Sequence, residues 1–202
     1  MFDHWLRILK DRLFAPIAPG IGRLVHPTLI SALALLAGLT SALLAAAGRT
    51  APAFAAWAAS RILDGLDGSV ARAVGAQSDL GGYVDTLMDF VVYAAVPIGV
   101  ILGHPSEAAW HAGLFLLATF YVNAASWMYL AAILERRNLG AGVTGERTTV
   151  TMPPGIVAGT ETVVLYSAIL LAPAWAPTLF WVMGSLVCLN VVLRLVWAWR
   201  RL

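Results

Sequence analysis

Charge and cysteine are what this chain has least of. Only 12% of its 202 residues are charged, where a soluble domain of that length carries roughly a quarter. The single cysteine, Cys188, lies in an apolar run, which excludes an internal disulfide and a thiolate metal cluster. A formal net charge of +2 is too small to argue for a nucleic-acid partner. No repeat or low-complexity segment stands out. The opening MFDHWLRILKDRLF lacks the apolar core of a cleavable signal peptide.

What the chain has instead is apolar length. It is 60% hydrophobic with a mean hydropathy of +0.80, and a membrane span needs roughly 20 mostly apolar residues. The pattern predicts an all-α, polytopic integral membrane protein with six transmembrane helices, at about Pro27–Ala47, Ala51–Ala73, Gly82–Gly103, Glu107–Leu134, Ile156–Leu171 and Pro177–Trp199. An amphipathic helix over residues 1–15, with Phe2, Trp5, Leu6, Leu9 and Leu13 on one side, is expected on the membrane surface before them. The whole reads as one membrane domain over residues 1–202 with its six-helix core at 27–199.

Orientation follows from the basic residues. Six spans put both termini on one side, together with the 74–81 and 135–155 segments. That side carries Arg7, Lys10, Arg12, Arg23, Arg72, Arg136, Arg137, Arg147, Arg200 and Arg201, against Arg49 alone on the other. The termini are therefore expected in the cytoplasm. Trp5, Trp110, Trp175, Trp197 and Trp199 fall near span ends, as interfacial anchors do.

Against this background, five of the eleven acidic residues fall within DGLDGSVARAVGAQSDLGGYVDTLMD, residues 64–89. Ionisable groups in a span usually face a protein interior or a wet cavity and tend to be functional. Asp64 and Asp67 are three apart, and Asp85 and Asp89 four apart, so each pair shares one helix face. The short turn between them makes the two helices antiparallel neighbours, and four carboxylates then converge near the cytoplasmic mouth. Like charges so placed need compensation. An oxygen-only donor set without nearby His or Cys suits a hard divalent cation, Mg²⁺ first, with Mn²⁺ and Ca²⁺ as alternatives. Four carboxylates balance two such cations, and paired cations serve displacement at phosphorus. The competing structural reading pairs Arg61 and Arg72 with the aspartates simply to lock the helices. Gly68, Ala71, Gly81 and Gly82 flank the cluster and fit either close approach of a ligand or tight helix packing. Asp79 is expected in the turn, solvated. Arg194 is expected to snorkel to the cytoplasmic edge, and His26 and His111 to be interfacial.

The pattern Asp64-x2-Asp67-Gly68-x2-Ala71-Arg72-x8-Gly81-x3-Asp85-x3-Asp89 resembles the signature of the CDP-alcohol phosphotransferases, with eight fixed residues over 26 positions. Pro27-Thr28-Leu29-Ile30-Ser31 also resembles the Pro-Asn-x-x-Thr that opens the family's first span, with Thr28 in place of Asn. The resemblance implies an enzyme of the cytoplasmic (inner) membrane that moves a phosphatidyl group from a CDP-linked lipid, usually CDP-diacylglycerol, to an alcohol and releases CMP. It implies that Asp64, Asp67, Asp85 and Asp89 hold two divalent cations, Mg²⁺ or Mn²⁺, and that Asp89 is also the general base. It implies further that Gly68, Ala71, Arg72 and Gly81 shape the CDP pocket, that membrane lipids and a small alcohol acceptor are the partners, and that the enzyme is a homodimer. The Gly-Lys-x-Lys-Thr-like stretch common in phosphatidylglycerophosphate synthases is missing; residues 155–162 read GIVAGTET. Glu161 is the candidate contact for a hydroxyl or ammonium of the acceptor, and Arg136, Arg137 and Arg147 are candidates for an acceptor phosphate. The competing functions are a divalent-cation transporter, which would hold its carboxylates near the midplane on broken helices, and an intramembrane prenyltransferase, which would need a second aspartate motif.

Overall fold

The computed structural model describes residues 13–139 and 159–202, and among these the regular structure is helical, with no strand. After a five-residue helix α1 (Ala18–Gly22) come α2 (Pro27–Ala46), α3 (Thr50–Ala73), α4 (Asp79–Gly103), α5 (Glu107–Arg136), α6 (Gly159–Leu171), a 3₁₀ turn (Pro173–Trp175) and α7 (Ala176–Arg201). Residues 1–12 of the expected amphipathic helix, with Ile156 and Arg147, lie outside the described residues.

Local chemistry explains the boundaries. His26 Nδ1 accepts the Thr28 N–H at 3.3 Å ahead of Pro27, Ser78 Oγ accepts the Gly81 N–H at 3.1 Å, and Ser106 Oγ accepts the Ala109 N–H at 3.0 Å. Each satisfies an amide that a helix start leaves open. Gly48 and Gly75, at φ +71° and +67°, follow α2 and α3 in the left-handed conformation that glycine adopts without strain. The third predicted span begins earlier than expected: Ser78 is its cap, so Asp79 belongs to the first turn of α4, where a carboxylate complements the helix dipole.

Among the described residues, four elements are long and apolar enough to cross a membrane: α2, α4, α5 and the Pro173–Arg201 unit. Helix α3 is 24 residues long, but Arg61, Asp64, Asp67 and Arg72 dilute its apolar character. Only 13 residues of α6 are described. Of the six expected spans, four are thus matched on length and composition among the described residues.

The helices pack as two groups, joined by α6 and by direct contact of α4 with α5. In one group α2 lies along both α3 and α4. Ser60 Oγ donates to the Ala34 carbonyl at 2.8 Å and Ser41 Oγ to the Ala53 carbonyl at 2.7 Å, small hydroxyls that let α2 and α3 approach. Gly99 and Gly103 bring α4 so near to α2 that an added methyl would collide with the Ala42 and Ala45 carbonyls. In the other group α5 lies along α7, with Phe115 tilted on Trp181 at 4.5 Å between ring centroids. Helix α6 docks through a consequence of proline chemistry. Pro97 lies inside α4 and has no N–H for the Tyr93 carbonyl four residues earlier. Tyr166 of α6 supplies the missing donor, its hydroxyl 2.7 Å from that carbonyl. Trp57, fully buried, adds a bond from Nε1 to Ser167 Oγ at 3.1 Å.

Candidate active site at the α3–α4 crevice

Asp64 and Asp67 from the last turns of α3, and Asp85 and Asp89 from the second and third turns of α4, line one narrow crevice, closed on its third side by Ser31 of α2. The helical spacing predicted this convergence. Their environments differ. Asp67 is buried, 6% exposed; its Oδ2 accepts from Ser31 Oγ at 2.6 Å and its Oδ1 from the Gly68 backbone N–H. Asp64 and Asp89 are half-open, with 28% and 30% of their side chains exposed. Asp85 is also half-buried.

Between Asp64 and Asp89 sits Arg61, one turn deeper on α3. Its Nη1 is 2.7 Å from Asp89 Oδ1 and 3.7 Å from Asp64 Oδ1. The same nitrogen donates to Tyr93 OH at 3.3 Å, and Nη2 to Ser60 Oγ at 3.0 Å. Cross-helix pairing of Arg61 with the aspartates, the feature of the helix-locking alternative, is therefore real. The crevice itself is lined by four carboxylates and one guanidinium. Among the described residues, no three His, Cys, Asp or Glu side chains stand close enough to hold one metal ion as they are arranged. The donor set still fits hard divalent cations: it is oxygen-only, drawn from two adjacent helices, and richer in negative charge than Arg61 alone can balance.

The remaining predicted residues distribute unevenly. Gly68, Ala71 and Arg72 continue α3 beyond the aspartates, and Arg72 is exposed, its Nη2 donating to Ser69 Oγ at 3.2 Å. An added methyl at Gly68 would meet Arg72 Nη1 at 3.4 Å. Gly81 is exposed in the first turn of α4. None of these four lines the crevice. Glu161 is half-buried in the first turn of α6. Arg136 ends α5, and Arg137 caps it and donates to the Leu202 carbonyl at 2.9 Å, so that guanidinium ties α5 to the end of α7. Arg194 does not snorkel. It is 6% exposed, and its Nη1 donates to Asn123 Oδ1 at 3.0 Å and Ser126 Oγ at 3.2 Å on α5; polar partners inside the bundle replace the trip to water. Three contributors escaped sequence reading as parts of the site. Ser31 was legible only as the last residue of the Pro27 motif. Trp57 and Tyr93 carried no signal beyond aromatic residues at helical spacing from Arg61 and Asp89.

Fold and site together define a multi-pass integral membrane protein with a carboxylate-lined crevice between two of its helices. The chain belongs to the CDP-alcohol phosphatidyltransferase family, whose sequence profile matches residues 24–197. It is 34% identical over 139 residues to the inner membrane protein YnjF of Escherichia coli, covering 69% of this chain and 66% of that protein. It is 43% identical over 77 residues to the CDP-diacylglycerol–serine O-phosphatidyltransferase of Mycobacterium leprae, covering 38% of this chain and 26% of that protein. In both cases the match spans less than two thirds of the relative's length. The fold is shared with Mycobacterium tuberculosis phosphatidylinositol phosphate synthase (PgsA1). The crystal structure with CDP-DAG bound gives a TM-score of 0.71 at 21% identity over 91% of this chain and 92% of that one. The structure of the same synthase in complex with manganese and citrate gives 0.70 at 20% identity, over 91% and 88%.

Proposed function

We propose that this protein transfers a phosphatidyl group from a CDP-linked lipid, such as CDP-diacylglycerol, to a small alcohol, releasing CMP at the cytoplasmic face of the membrane. The observation that carries the reading is the convergence of Asp64, Asp67, Asp85 and Asp89 on one crevice. Two divalent cations, Mg²⁺ or Mn²⁺, held by those four carboxylates would offset the pyrophosphate charge and the charge that develops on departing CMP. That PgsA1 has been crystallised with CDP-DAG and with manganese supports the donor and the metal.

The chain's own residues then divide the work. Asp67, buried and fixed by Ser31, is a preset ligand. Asp89, half-open, is the base that takes the acceptor hydroxyl proton as the oxygen attacks phosphorus. Gly68, Ala71, Arg72 and Gly81 form the outer lip against which CDP lies, with Arg72 meeting phosphate. Because the carboxylates sit toward one end of α3 and α4, the nucleotide stays in water while the acyl chains stay in lipid. Arginine placement sets that end, and both termini, in the cytoplasm. Glu161 meets the acceptor, and the chain acts as a homodimer, as the family resemblance implies.

The test is CMP release from CDP-diacylglycerol by purified protein with Mg²⁺ or Mn²⁺, offered glycerol 3-phosphate, inositol, inositol 1-phosphate, serine or phosphatidylglycerol. Release stimulated by one acceptor and lost in Asp89→Asn is the expected result. Metal-dependent flux across vesicles without CMP release would overturn the reading in favour of transport.

A further inference from the structure

The proposed reaction uses the aspartates and leaves Arg61 without a task. Yet its side chain is only 9% exposed, and its guanidinium is held from both sides. Beneath it, the rings of Trp57 and Tyr93 stand 4.9 and 5.3 Å from Cζ to their centroids. Such faces favour a desolvated cation. Both rings are themselves fixed, Trp57 by its bond to Ser167 and Tyr93 by a T-shaped contact with Tyr166 at 5.8 Å. Above it lie Asp89 of α4 and Asp64 of α3. Its Nε is buried with no hydrogen-bond partner. The head group makes three hydrogen bonds, to Asp89, Tyr93 and Ser60, and so spans two helices while Nε goes without.

We propose that Arg61 is a positioning residue. It braces α3 to α4 beneath the four aspartates while they hold no metal, and it engages Asp89 through Oδ1, so that the guanidinium does not compete for Oδ2. The inference rests on the reading of the aspartates as metal ligands. Its physical basis is charge balance. Without cations, four carboxylates on two neighbouring helices repel one another, and one guanidinium offsets part of that repulsion. With divalent cations in place the repulsion is relieved by the ions, and Arg61 matters less to stability. Its hold on Asp89 matters in both states. A side chain that orients a metal ligand commonly changes activity by roughly 10–100-fold when removed.

The experiment compares wild type with Arg61→Met in detergent, by thermal unfolding with and without Mn²⁺ alone and by CMP-release kinetics. Arg61→Met should lower the metal-free Tm more than the Mn²⁺-bound Tm, so that the Mn²⁺-induced shift is larger than in wild type. It should lower kcat by roughly 10–100-fold and leave the KM for CDP-diacylglycerol within about twofold, the split expected when only transition-state positioning is lost. Arg61→Lys keeps the charge without the planar fork and should recover part of both effects. Equal loss of Tm in the two states would reduce Arg61 to a packing residue and overturn the proposal. So would a folded Arg61→Lys with wild-type kcat, which keeps the proposal testable even if Arg61→Met fails to fold. A wild-type protein whose Tm does not respond to Mn²⁺ overturns the reading of the aspartates instead.

Discussion

Each half of this molecule buries an arginine, and the two arginines have different company. Arg61, in the α2–α4 group, lies under four carboxylates and against two aromatic rings. Arg194, in the α5–α7 group, meets the amide of Asn123 and the hydroxyl of Ser126. Both leave Nε without a partner, so neither site is arranged to satisfy the guanidinium fully. A cation among neutral acceptors can only tie helices together, because nothing nearby calls for a further charge. A cation outnumbered by carboxylates leaves negative charge that another cation can claim. The number of compensating charges, rather than burial of an arginine in a span, is what separates a helix tie from a carboxylate cluster able to take up a cation.

The backbone repeats the contrast. Helix α4 meets α2 through Gly99 and Gly103 against main-chain carbonyls, which cannot yield. Helix α7 meets α5 at Gly184, where an added methyl would reach the Phe115 ring at 2.6 Å, and a ring can turn. The α2–α4 seam is thus fixed at these two glycines, whereas the α5–α7 seam at Gly184 meets a side chain that can move.

The largest expected effect is at Asp89. Asp89→Asn keeps the shape and removes the proposed base, and CMP release should fall by roughly 10²–10⁴-fold with CDP-lipid binding retained. An active Asp89→Asn would assign the base elsewhere and erase the functional side of the comparison. Next come the two tests of rigidity. Gly99→Ala should lower stability by roughly 1–3 kcal/mol through overpacking and Gly184→Ala by clearly less; thermal unfolding of the two variants side by side checks it, and equal losses would mean that both halves pack alike. Arg194→Met strands Asn123 and Ser126 and should cost about 1–3 kcal/mol. The loss should be the same with and without Mn²⁺, in contrast to Arg61→Met. A metal-dependent loss at Arg194 would break the distinction between the halves.

How far the sequence foretold this depends on range along the chain. The aspartate convergence was legible because it needs only helical periodicity and one short turn: intervals of three and four fix a face, and VGAQSDLGG keeps the two helices within side-chain reach, although both pack on α2 rather than on each other. Helix starts were legible where a capping serine or a proline marks them, although Ser78 moved the start of α4 to Asp79. What depends on contact between distant segments was not legible. Ser31 lies 36 residues from Asp67 and bonds it. Tyr166 lies 73 residues from the Tyr93 carbonyl it satisfies, and although Pro97 announces an orphaned carbonyl, nothing local says which helix will supply the donor. Arg194 was misread for the same reason, since its partners on α5 lie 71 and 68 residues away. The choice between snorkelling and a buried bond is made by the neighbouring helix, not by the residue's own span.

The smallest effect tests whether α6 belongs to the site half. Counting back from the Tyr166–Tyr93 bond, Glu161 and Asp89 lie five and four residues nearer the starts of their helices, about 7.5 and 6 Å of helical rise. On the six-span reading both helices start on the cytoplasmic side, which brings the Glu161 carboxylate to the depth of the aspartates, where an acceptor must arrive. Glu161→Gln should then raise the acceptor KM by roughly tenfold, the loss of one charge-assisted bond worth about 1.5 kcal/mol, while the KM for CDP-diacylglycerol stays put. A carboxylate in a first helical turn has a second use, because it stabilises the helix dipole by about 0.3–1 kcal/mol. The two roles separate cleanly. A lowered Tm with an unchanged acceptor KM gives Glu161 to the helix and leaves α6 a strut between the two halves, whereas a raised acceptor KM with an unchanged Tm makes α6 a fourth wall of the site, beside α2, α3 and α4.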